Sequence, residues 1–80
     1  MVKYAALSPE PEWIREGQPV EIEGKRWVPV EDIEILKDSE VLLIAEQQGV
    51  QFFVDKVDIK PYNRVYTKFG KNKFRVFELE

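Results

Sequence analysis

The chain contains no cysteine and no histidine. The first absence removes disulfides and thiolate chemistry, and it leaves the redox compartment open. The second removes imidazole bases; together they remove the usual zinc sites and the Ser-His and Cys-His nucleophilic pairs. Serine and threonine occur only at Ser8, Ser39 and Thr67. No glycine-rich phosphate loop is present, and no acidic loop has the ligand spacing and glycine of a calcium site. The composition thus predicts no enzyme, no cofactor and no metal. Long apolar runs are also missing. Nothing approaches the roughly 18 residues of a membrane helix, and Met1 to Leu7 is too short and too weakly charged for a signal peptide. A soluble cytoplasmic protein is expected.

What is present is apolar enough to fold. Eighty residues with 44% hydrophobic and 34% charged content predict one domain around one core, spanning 1–80. A chain of this size hides only about 60% of its unfolded surface. Its two Trp, three Tyr and five Phe must therefore supply much of the burial.

One pattern occurs twice. Val30-Glu31-Asp32-Ile33-Glu34-Ile35 returns 24 residues later as Val54-Asp55-Lys56-Val57-Asp58-Ile59. In each, period-two alternation is broken once, as when a strand meets a tight turn or bulge and then resumes. The two units are expected to point their apolar residues inward. They are explained either by internal duplication or by the general likeness of two meander hairpins.

In chain order, Val2 to Leu7 is a candidate edge strand, and Ser8 to Glu12, with two prolines, an extended connector. Trp13 to Glu16 is a single helical turn closed by Gly17. Val20–Glu23 and Arg26–Val30, joined through Gly24-Lys25, form a first hairpin. Pro29 marks an edge or a bulge in it. Val41-Leu42-Leu43-Ile44-Ala45 is a continuous apolar run, expected to be a strand covered on both faces at the centre of the sheet. A helix through Glu31 to Glu46 is its competitor. Val50–Val54 returns after Gly49 to complete a second hairpin. Arg64–Phe69 and Lys73–Glu80 make a third, in which Phe74 and Val76 share one face while Phe77 and Leu79 require the other. Either a bulge near residues 76 and 77 or partial exposure of one pair would reconcile them.

The expected fold is all-β: an antiparallel meander of about three hairpins curled into a small half-open barrel, with at most one helical turn. A strand interrupted by a one-turn corner, as at Val30 to Ile35 and Val54 to Ile59, resembles the late strands of SH3-like barrels. The likeness carries no functional residues with it.

Charge is distributed unevenly. Residues 1–59 hold 13 acids and 6 bases, net −7, whereas residues 60–80 hold 6 bases and 2 acids, net +4. No acid lies between Lys60 and Arg75. Lys60, Arg64, Lys68, Lys71, Lys73 and Arg75 are interleaved with Tyr62, Tyr66, Phe69 and Phe74. If both sets of this C-terminal hairpin face outward, cations and rings form a platform suited to single-stranded nucleic acid. The plainer alternative is that the cations protect an edge and pair with the acidic body while the rings pack inward, and the low sequence pI favours it. The charge asymmetry also suits a protein partner or a second copy. Trp13, Trp27 and Pro29 are a secondary candidate, as an aromatic groove for proline-rich peptides or as caps on the core. Paired acids such as Glu31 with Asp32, or Glu21 with Glu23, read most simply as a solvated outer face. The functional expectation is a non-catalytic protein-interaction module, an accessory or assembly subunit using the basic hairpin. The alternative is nucleic-acid binding through the same residues.

Overall fold

A computed structural model describes residues 10–80 of the chain. Six antiparallel strands form one sheet that rolls into a nearly closed barrel. A four-residue helix α1 (Glu12–Arg15) precedes β1 (Val20–Ile22) and β2 (Lys25–Ile35). A 3-10 turn at Asp38–Glu40 leads into β3 (Val41–Gln47), followed by β4 (Val50–Asp55), β5 (Arg64–Gly70) and β6 (Lys73–Leu79). The candidate strand Val2 to Leu7 lies outside the described residues.

The three hairpins form where turn chemistry demands them. Glu23 and Gly24 have φ of 55° and 78°, and Gln48 and Gly49 have φ of 52° and 78°. Positive φ at both central residues is the two-residue turn whose twist matches that of the strands it joins. Glycine supplies the second position at no steric cost. The first turn is thus Glu23-Gly24, one residue earlier than the sequence indicated. The helical turn at Trp13 ends at Gly17, as expected.

The sheet order is β1-β2-β6-β5-β4-β3, so the first hairpin joins the last strand and not the next one in sequence. The ladder of β2 with β6 breaks between Pro29 and Ile33. Pro29 faces Phe77 and Ile33 faces Arg75, so Val30, Glu31 and Asp32 stand where β6 has only Val76. Pro29 thus opens a bulge, one of the few places where a residue without an N–H is tolerated in a sheet.

Both faces of the central hairpin are covered. Val65 stands opposite Phe77 and both belong to one cluster, with Trp27, Phe52, Val54, Ile14 and Ile22. The next pair, Tyr66 opposite Val76, belongs to a second cluster with Phe74 and Val41. Side chains alternate faces along a strand, so consecutive pairs serve opposite sides. No bulge separates Val76 from Phe77, and both are fully buried; Leu79 alone of that strand's apolar residues is exposed. The one core expected from the sequence is two clusters on opposite faces. Edge-to-face ring pairs hold each: Phe52 with Phe77 at 5.1 Å, and Phe53 with Phe74 at 5.8 Å between centroids.

Two expectations are overturned. The run Val41–Ala45 is an edge strand, not the central one, and Leu42 and Leu43 are each 51% exposed. A register shift between Leu43 and Ala45 re-aims the strand, so Val41 reaches one cluster and Ile44 and Ala45 the other, leaving the two leucines outside both. An unbroken apolar run does not distinguish a centre from an edge whose side chains serve two faces. The repeated units also fail to point inward throughout. Val54 is buried and Val30 half-buried, but Ile33, Ile35, Val57 and Ile59 are exposed, the last two at 82%. Only the first unit continues as a strand. The second leaves the sheet after Asp55, whose Oδ1 accepts the Val57 N–H at 3.1 Å while its carbonyl accepts the Asp58 N–H at 2.9 Å. An aspartate turn of this kind ends the ladder.

Candidate functional site

The eight residues of the basic hairpin do not form one surface. Tyr66 and the Phe74 opposite Lys68 belong to the second cluster, so Arg64, Tyr66 and Lys68 point to that side. Phe77 belongs to the first, so Lys73 and Arg75 point to the other. The two cationic sets that would have to share a platform are on opposite faces of the sheet.

Most of these cations are held by acids of the body. Lys68 Nζ donates to both Asp38 oxygens at 2.7 and 3.0 Å. Arg64 reaches Glu34 at 3.5 Å and Glu78 at 3.7 Å, and Lys60 reaches Glu23 at 3.5 Å. Such exposed pairs contribute little stability, but they occupy the cations. Lys71 and Lys73 make no ion pair among the described residues.

Arg75 has a structural role that the sequence did not show. Its Nε and Nη2 donate to the two oxygens of Glu10 at 2.9 and 2.8 Å. Its Nη1 donates to the carbonyls of Val30 and Glu31, both at 3.1 Å, which are the carbonyls released from the ladder by the β2 bulge. The guanidinium also lies over the Phe69 ring, 5.5 Å from its centroid. A planar fork with five donors can meet a carboxylate and two carbonyls together, which an ammonium cannot. The hydrogen bonds it donates to Glu10 raise the guanidinium pKa above its ordinary value.

The rings are turned inward. Tyr66 and Phe74 are buried, Tyr62 packs against the first cluster, and Phe69 is half-buried beneath Arg75. Burial raises the Tyr66 phenol pKa above 10.0, with the neighbouring Arg64 pulling the other way. Tyr62, Arg64 and Tyr66 do meet, at a hollow of about 310 Å³ beside Asp58 and Ile59. Trp27 is buried in the first cluster and its Nε1–H donates to the Ile22 carbonyl at 3.3 Å. Trp13 is half-buried against the same cluster. Pro29 instead lines a groove of about 350 Å³ with Arg15, Glu31 and Arg75, so the three residues do not make an exposed aromatic groove.

What the hairpin does present is an apolar and basic tip. Ile33 stands opposite Arg75 and Ile35 opposite Lys73, and directly opposed residues lie on the same face. Ile33 is 48% exposed and Ile35 68%. They extend the surface that carries Lys73, with Lys71 at the turn beyond. Sequence reasoning placed both isoleucines inside because they alternate with acids. Asp32 and Glu34, on either side of Ile33, suggest an outward polar side, and only the register with β6 shows that the isoleucine side is open as well.

No group of His, Cys, Asp or Glu side chains suited to a metal occurs among the described residues, and no helix there is long and apolar enough to cross a membrane. Comparison of the chain with known protein families, with curated proteins and with solved structures finds no match.

Proposed function

We propose that the protein is a non-catalytic interaction module whose contact surface joins the tip of its C-terminal hairpin, Lys71 and Lys73, to Ile33 and Ile35 on the adjoining β2. The observation that supports this most is the cross-strand register that sets exposed Ile35 opposite Lys73, a cation without an ion pair among the described residues, with exposed Ile33 on the same face opposite the Glu10-bound Arg75. Exposed apolar side chains rimmed by charge are characteristic of surfaces that meet a partner. The positive charge favours an acidic partner surface, by steering encounter and fixing orientation. Single-stranded nucleic acid is the weaker reading, because stacking needs an open ring and the hairpin's rings are turned inward or covered by Arg75.

Charge reversal of the pair, Lys71→Glu with Lys73→Glu, is expected to abolish most recovery of the main protein that copurifies with the chain from native lysate. Thermal stability should be unchanged, since neither side chain is tied into the fold. Equal recovery by the variant and the unaltered chain rejects this surface.

A further inference from the structure

β4 and β5 are paired at two positions only, Phe52 with Thr67 and Phe53 with Tyr66. Their outer partners hold much longer: β3 accompanies β4 to Val50, and β6 accompanies β5 to Gly70. Beyond the last shared pair the two strands part, and a cleft of about 670 Å³ opens between Val50-Gln51 on one wall and Lys68 to Lys71 on the other. Glu10 and Ile14 also line it. We propose that this cleft is a slot in which the protein takes an extended, acidic peptide segment of a protein partner by strand addition. The inference rests on the interaction reading above and gives the form in which the partner is held.

Three features carry it. First, the facing edges of β4 and β5 have no ladder between them past Phe52 and Thr67 and no other strand on them among the described residues, and an unpaired strand edge is a template for another strand. Second, Thr67 lines the cleft and is 1% exposed, yet its Oγ1 has no hydrogen-bond partner among the described residues. A buried hydroxyl is ordinarily satisfied, and a peptide N–H or C=O in the cleft would satisfy this one. Third, the charges along the β5 rim favour an acid, because Lys71 and the adjoining Lys73 are two cations without an ion pair among the described residues against the single Glu46 on the β4 wall. Lys68 is tied to Asp38 and Glu10 to Arg75, which leaves Lys71 on the β5 wall and Glu46 on the β4 wall as the side chains without an ion pair among the described residues. An acidic side chain of the bound segment would lie toward Lys71, with Lys73 and the apolar tip continuing the surface. The volume falls in the range of roughly 300–1,000 Å³ typical of ligand sites.

The test uses the full chain and a displayed library of random peptides, followed by amide chemical-shift mapping with the peptides that enrich. The expected outcome is enrichment of acidic sequences that shift the amides of Val50, Gln51 and Lys68 to Gly70. Thr67→Val keeps the side-chain shape and removes a hydroxyl with no partner among the described residues, so the variant folds; it should bind such a peptide about fivefold more weakly, the loss of one hydrogen bond. Lys71→Glu should weaken it further. Peptides that perturb Ile33 and Ile35 but leave the cleft amides unmoved overturn the slot and keep the interaction surface. No enrichment overturns the slot, while the copurification result judges the surface independently. Contacts of Val2 to Leu7 with the cleft in the free chain likewise overturn it, by making the occupant part of the protein itself.

Discussion

Replacing Arg75 with alanine is expected to destabilise the protein by about 3 kcal/mol, although Arg75 belongs to the hairpin whose charge first suggests binding. Removing one member of a largely buried ion pair leaves the other desolvated and unpaired, which typically costs about 3–5 kcal/mol. Glu10 retains 8% of its side-chain exposure and Arg75 19%, so solvent moderates the effect and the lower figure applies. The same change strips the donors from the Val30 and Glu31 carbonyls at the bulge. For a domain of this size the melting temperature should fall by roughly 15 °C. Arg75→Lys keeps the charge but not the fork, so it should recover less than half of the loss. Thermal unfolding followed by circular dichroism measures both. If Arg75→Ala melts within a few degrees of the parent, Arg75 does not hold the bulge and is available for binding after all.

The second large effect concerns the two faces of the sheet. Phe74 and Phe77 lie on the same strand, are both fully buried, and belong to different clusters. Truncation of either to alanine is expected to cost about 3–5 kcal/mol, from lost burial and from the cavity left behind. A half-solvated sheet would make one of the two substitutions mild. Denaturant titration of the two variants distinguishes these cases, with Phe→Leu at each site as a gentler version should the alanine forms fail to fold. A change of less than about 1 kcal/mol at either position contradicts the double-sided packing.

The sequence was most legible where structure is decided within a few residues. Gly24, Gly49, Asn72 and Gly17 take positive φ, and Pro29 marks a missing donor, so the three hairpins, the helical turn and the bulge could be read locally. The order of strands could not, because the pairing of β2 with β6 joins segments far apart in the chain and no local preference encodes it. Two misreadings follow from that gap. Val41 to Ala45 was apolar enough for a central strand but lies at the margin, and the repeated unit was expected to face inward although Ile33 and Ile35 point outward from β2. The charge asymmetry of the C-terminal hairpin was equally visible, but its meaning was divided. Arg75 finds Glu10 across 65 residues of sequence and Lys68 finds Asp38 across 30, so these cations serve the fold. Lys71 and Lys73 are the hairpin's cations without an ion pair among the described residues, and the proposed contact surface is built on them. Thr67 gave no signal in the sequence, since only the parting of β4 and β5 makes its hydroxyl conspicuous.

The central claim is that a partner is met at the hairpin tip, and amide hydrogen exchange of the complex recovered from native lysate tests it most directly. The account predicts that, relative to the free chain, protection rises in Ile33 to Leu36 and in Phe69 to Arg75, with the exposed edge at Leu42 and Leu43 unchanged. Protection confined to the β3 edge, with the tip exchanging as in the free chain, would contradict it.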